Sequence, residues 1–338
     1  MPNSKAIYQT VAGLGLSRAQ VRRLLPSWWE PAMEEQADGV IELAMHISRR
    51  LSLELSSLMA GHLVPKGAVA NIAYKHRADA DAGRLVAASY IASSLAQAIT
   101  AALPTPFAEL PADAASFRAL AKKINGGGFL NFDALLQLCW THGIPVIPLP
   151  HLPVGVQKMD GAALALQDRP AIVLAKRKSS KAWLSFILAH EIGHIVLGHI
   201  TPGTTIIDVS LQDASTYATD TDADRQEAEA DQFAMAVLGG PEADQLIQSW
   251  NSRLSPVEMA VEARTASIKI DADPAHLILR YAFRTRRWAE AAMALGFIQE
   301  DVDPQGALVS HLAEHLDLDR VAPDLQDLVG QVTGLQVT

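Results

Sequence analysis

The sequence LAHEIGHIVLGH, residues 188–199, sets His190, Glu191, His194 and His199 in a run that is otherwise apolar or glycine. Such a run reads as a core helix, and a core helix buries polar side chains only where something engages them. His190 and His194 are four residues apart, so on a helix they lie about 40° apart and one turn along. Both imidazoles can then aim a nitrogen at one ion. Glu191 lies about 100° round from His190, beside the ion, where a carboxylate can take a proton from water held there. The pattern is H-E-x-x-H, read as a metal site with Glu191 as general base. His199 falls about 180° from His190, on the wrong face for a third ligand. Its alternatives are an interaction with the helix C-terminus or simple solvation. Gly193 leaves room for another backbone or a ligand to approach.

Working outward, Ser179 or Ser180 is the expected N-cap of this helix and Gly198 its stop. GAALALQDRPAIVLAK (161–176) is two apolar runs around a turn at 167–170, a β-hairpin. Its second run, 171–175, is expected to take up an extended peptide as an added strand. IPVIPLP (144–150) is strand-like, with prolines that suit a sheet edge. PADAASFRALAKKI (111–124) and FDALLQLCWTHG (132–143) are helical. Residues 201–224 are polar and read as a long loop, a candidate gate over the site. No oxyanion donor stands out; Tyr217, in this loop, is a weak candidate.

RQEAEADQFAMAVLGG (225–240) is a further helix. Ala230, Phe233, Ala234, Val237 and Leu238 define its buried face, with Glu227 at the edge of that face. Asp231 lies one turn beyond on the same side, and Glu229 points away to solvent. Glu227 is therefore preferred over Glu229 as third ligand. Asp231 is the candidate that accepts the second N–H of a ligand histidine. Two histidines and one carboxylate leave a coordination position for water, the layout of a catalytic zinc site. Zn2+ would lower the pKa of that water to about 7, and Mn2+ can occupy the same donors.

The chain has 338 residues, a net charge of −9 and one cysteine. That length predicts about two domains. A lone cysteine excludes a disulfide framework and fits a cytoplasmic home, and Cys139, in an apolar helix, reads as core. The first residues show no basic-then-apolar leader. LVAASYIASSLAQAITAAL (85–103) lacks charge, but its large apolar residues recur at helical spacing, so it reads as a packed helix and not a membrane span. The proline-rich LPTPFAELP (103–111) reads as a linker. The expected organisation is a helical N-terminal region (1–103), an α+β core (112–240) and a helical C-terminal region (241–338). DTDAD (220–224) lacks the glycine and glutamate of a calcium loop. RYAFRTRRW (280–288) mixes basic and aromatic residues, and such aromatics usually pack inward.

Taken together, GAALALQDRPAIVLAK, SFILAHEIGHIVLGH and EAEADQFAMAVL, in that order, resemble the ImmA/IrrE family of metallopeptidases over about residues 115–240. The resemblance implies a gluzincin-like core, metal ligation by His190, His194 and Glu227, and catalysis by Glu191. It also implies a protein substrate, a helix-turn-helix repressor cleaved in a bacterial stress or mobile-element switch. Two departures stand out: Asp231 where the family often has Asn, and AVLGGPE where it often has a Leu-Leu-Met-Pro-like end. Some relatives carry a repressor-like N-terminal domain, and GVIELAMHISRRLSLELSSLM (39–59) is compatible with a helix-turn-helix that contacts nucleic acid. The alternative reading is a DNA-binding regulator whose metallopeptidase-like domain senses and turns over little.

Overall fold

Alternation decides the centre of the molecule. In strand β4 (Pro170–Leu174) every residue is buried, because successive side chains point to opposite faces and both faces are covered. Ala171 and Val173 enter one apolar core, Ile172 and Leu174 another. β4 forms the expected hairpin with β3 (Gly161–Ala165). On its other side it pairs in parallel with β2 (Val146–Pro148), an edge strand, where a proline without an N–H is tolerated. β3 also takes β5 (Thr204–Asp208), antiparallel, and β5 takes β1 (Asn71–Lys75), parallel. The sheet order is β1-β5-β3-β4-β2. These positions come from a computed structural model that describes residues 2–67, 71–75, 85–175, 180–208, 222–298 and 303–336.

Helices cover both faces. α5 (Val86–Ala102) packs with α1 (Ser4–Val11), α2 (Arg18–Arg22), α3 (Ala37–Arg50) and α4 (Leu55–Met59) on the face of Ala171 and Val173. The charge-free run at 85–103 is thus the cover of a sheet, and no helix among the described residues is long and apolar enough to cross a membrane. On the other face lie α6 (Ala114–Ile124), α7 (Phe132–Thr141), α8 (Lys181–Val196) and α9 (Asp222–Gly239). A third core joins α10 (Ala243–Ser249), α11 (Pro256–Ile270), α12 (Pro274–Thr285) and α13 (Trp288–Gly296). It is tied to α8 where Trp183 stacks on Trp288, centroids 5.6 Å apart. α14 (Pro304–His315) and α15 (Pro323–Thr333) then return to the first face, where Leu312 and Leu328 are fully buried. The architecture is α+β, a small mixed sheet flanked by helical regions.

Three expectations change. Residues 201–224 are not all loop: Thr204, Thr205, Ile206 and Ile207 form most of β5. Four β-branched residues in succession favour a strand, which a reading by polarity overlooked. The region before residue 103 is not only helical, since it supplies β1. The 171–175 run is not a free edge: β4 is paired on both sides, so it cannot add a peptide strand. GVIELAMHISRRLSLELSSLM itself resolves into α3 and the five-residue α4. Its Arg49 and Arg50 are engaged within the chain, in ion pairs with Asp324 and Asp327 beside α3.

Candidate metal centre

α8 is apolar all round because it is enclosed, between the sheet and helices α7, α9 and α12. Ser180 is its N-cap, and Gly198, at φ +72°, follows its C-cap. His190, Glu191 and His194 are all 0 % exposed and Glu227 is 4 % exposed. Polar groups so deep must be engaged. Gly193 is what lets the second helix approach: a Cβ there would lie 3.1 Å from the Ala230 Cα. The backbones of α8 and α9 nearly touch at that point, three residues along from Glu227.

The hydrogen-bond partners fix the histidine tautomers. His190 Nδ1 lies 2.8 Å from Asp231 Oδ1. A carboxylate only accepts, so Nδ1–H donates and Nε2 carries the lone pair. His199 Nε2 lies 3.0 Å from Glu229 Oε2 and its Nδ1 3.0 Å from His194 Nδ1. By the same logic His199 donates to Glu229 and accepts from His194, which leaves the lone pair of His194 on Nε2. The two Nε2 atoms are 3.0 Å apart. Glu227 places Oε2 3.4 Å from His190 Nε2 and Oε1 3.4 Å from His194 Nε2. Two lone pairs and a carboxylate therefore converge in a buried space. Such a set repels itself unless a cation lies among its members. The edge of a tetrahedron with bonds of 2.0–2.1 Å is about 3.3 Å, the spacing seen here. The residues fit a divalent metal ion.

Glu191 stands beside this group. A Cβ built on Gly161, the first residue of β3, would lie 2.1 Å from Glu191 Oε1. The Glu191 carboxylate thus occupies space that any other residue at 161 would fill. The sequence reading did not single out Gly161; the only signal was a glycine opening an apolar strand.

Two residues differ from their sequence reading. His199 lies outside the metal-binding group, yet it is not solvated, for its side chain is only 5 % exposed between His194 and Glu229. Glu229 is not turned wholly to solvent: it bonds His199 and so holds the tautomer of His194, the part Asp231 plays for His190. Helical angles could not reveal this, because His199 follows the end of α8 and the chain has already turned at Gly198. Cys139 is fully buried and burial pushes its thiol pKa up, which suits a core residue. Tyr217 lies outside the described residues, as does most of the proposed gate at 201–224.

Comparison with known protein families gives a domain match. Residues 139–238, well under half of the chain, match the IrrE N-terminal-like domain of the M78 peptidases. No curated protein matches the chain significantly. The matched segment runs from α7 to the last turn of α9 and contains every residue of the site just described. Residues 139–238 therefore form a metallopeptidase-like domain similar to those of the ImmA/IrrE family.

Proposed function

We propose that the chain is a zinc-dependent endopeptidase that cuts a regulatory protein. The observation that carries this reading is the convergence of His190, His194 and Glu227 on one buried point with Glu191 beside it. A divalent ion held there supplies Lewis-acid activation of water and of the scissile carbonyl. Glu191 takes the proton of the attacking water and delivers it to the departing amine. Asp231 and the His199–Glu229 pair keep both ligand histidines in one tautomer. The family resemblance points to a helix-turn-helix repressor as substrate, in a stress or mobile-element switch.

His190, Glu191, His194 and Glu227 are all buried, so a polypeptide reaches Glu191 only after a cover moves. Activity is accordingly gated, with substrate engagement or a signal opening the site. A fragment beginning near residue 105 does not isolate that gate. It would strip α5 and β1 from the sheet and expose the first core.

The test uses the full chain, Zn2+ and a small helix-turn-helix repressor as candidate substrate. Cleavage by the wild type, with loss of at least about 100-fold in Glu191→Gln while metal is retained, is expected. Near-normal turnover by Glu191→Gln overturns the role of Glu191. Operator binding that ignores this substitution, with no cleavage of any repressor, favours a DNA-binding regulator instead.

A further inference from the structure

The spacing of the ligand histidines occurs a second time. His311-Leu-Ala-Glu-His315 closes α14, far from α8 in sequence and outside the matched domain. On a helix His311, Glu314 and His315 are related by three and four residues, so all three rise from one face. In the structure one ligand atom from each lies within 4.8 Å of the others.

The rings are held. His315 stacks on Trp140 of α7, centroids 5.0 Å apart and planes 18° apart. The His311 and His315 rings are themselves nearly parallel, at 12°. His315 Nδ1 lies 2.9 Å from the His311 carbonyl oxygen, so Nδ1–H donates and the lone pair is on Nε2. A backbone carbonyl fixing one nitrogen while the other faces outward is the usual arrangement of a metal-binding histidine. His311 Nδ1 is buried and has no hydrogen-bond partner among the described residues. Glu314 is exposed, and one of its carboxylate oxygens already lies within 4.8 Å of a nitrogen of each histidine.

We propose that His311, Glu314 and His315 form a second divalent-metal site, selective for borderline ions such as Zn2+ or Ni2+. Two imidazoles and one carboxylate suit these ions better than Ca2+ or Mg2+, which prefer all-oxygen sites. Its three donors lie on one helix turn and are partly exposed, so water completes the coordination. The ion binds more weakly than at α8, because the exposed Glu314 must be ordered. This inference is independent of the catalytic reading.

The experiment is a titration of metal-stripped full-length protein with Zn2+, followed by calorimetry. Two classes of equivalent are expected. His194→Ala should remove the tighter and leave the weaker; His311→Ala should do the reverse. Glu314→Gln, at an exposed position, should weaken only the second class, by tenfold or more, and carries the test if His311→Ala folds poorly. Ni2+ gives a second readout, since an ion on His315 quenches the Trp140 emission, and Trp140→Phe should abolish that part of the quenching. A single equivalent in the wild type that His194→Ala removes overturns the proposal. So does a second equivalent that survives both Glu314→Gln and His311→Ala. Loss of activity in Glu191→Gln bears on the catalytic reading alone.

Discussion

Helices α8 and α14 each carry two histidines four residues apart, and tertiary packing makes different sites of them. In α8 both rings are fully buried, the third donor arrives from another helix, and acids hold both rings from behind, Asp231 directly and Glu229 through His199. In α14 all three donors come from one turn, they are partly exposed, and a backbone carbonyl with a tryptophan face does the holding. α12 supplies the contrast for both. His276 is 1 % exposed, and neither ring nitrogen has a hydrogen-bond partner among the described residues. Burial pushes its pKa down to about 3, so it is a neutral core residue. Spacing proposes a metal site; depth, a third donor and a held tautomer decide what the site does.

The comparison breaks most readily at the donors that cross between helices. His194→Ala and Glu227→Gln should each lose tight metal binding at α8, measured by metal content after dialysis. Glu229→Gln should keep the metal. Loss of metal in Glu229→Gln alone, with Glu227→Gln intact, would exchange the two glutamates.

Next in size is Gly161→Ala. The closest clash of its new Cβ is with the end of the flexible Glu191 side chain, with Ile187 Cγ2 at 3.0 Å needing only a small shift, so the fold and the metal should survive while the carboxylate moves. Cleavage should fall by about 100-fold or more, as expected for a misplaced general base. Normal turnover at normal metal content would show that Glu191 acts from another position.

A smaller effect tests the partners behind the ligands. Asp231→Ala and His199→Ala should each weaken metal affinity by about 10- to 100-fold. His199→Asn or His199→Gln, which can still accept from His194, should recover part of that loss. Equal affinity in His199→Ala and the wild type would make His199 a packing residue only.

The smallest effect is in α12. His276, with its folded-state pKa depressed to about 3, binds its proton first in the unfolded chain, so its contribution is complete above about pH 6.5 and falls as pH drops. Asp273, the N-cap of the same helix, has its pKa raised to about 6 by burial. It holds a proton in the folded state first, so its contribution is complete below about pH 3.8 and is lost as pH rises through 6. Between about pH 4 and 6 the two slopes oppose each other, each of order 1.4 kcal/mol per pH unit. Asp273→Asn, still a competent N-cap, should therefore expose an acid lability in that window that the wild type lacks. Urea midpoints at pH 4.5, 5.5 and 6.5 measure it; parallel curves for variant and wild type would rule the opposition out.

Much of the site was written in local spacing. The four-residue interval placed His190 and His194 on one face, and the helical wheel of residues 225–240 chose Glu227 over Glu229, the residue whose oxygens lie 3.4 Å from both rings. The β3–β4 hairpin and the edge placement of β2 were equally local, one from a turn between apolar runs and the other from its prolines. Gly161 was not legible, because what makes it matter is a carboxylate thirty residues later in the chain. Nor was His199, whose direction depends on the turn after Gly198. β1 and β5 were missed because each is short and finds its partner far along the chain, where no hairpin turn announces the pairing.

The sequence by itself determined which residues can share a helix face, where α8 starts and stops, and that its polar residues form one chemical unit, since helix and strand periods act over a few residues. Only the tertiary structure decided that α5 covers the same sheet, that β4 has no free edge, that His199 bonds His194, and that α14 presents its histidines beside Trp140. Those outcomes depend on which apolar faces meet, and many apolar faces are alike in sequence. A near contact such as Gly193 against Ala230 becomes specific only when both helices are in place.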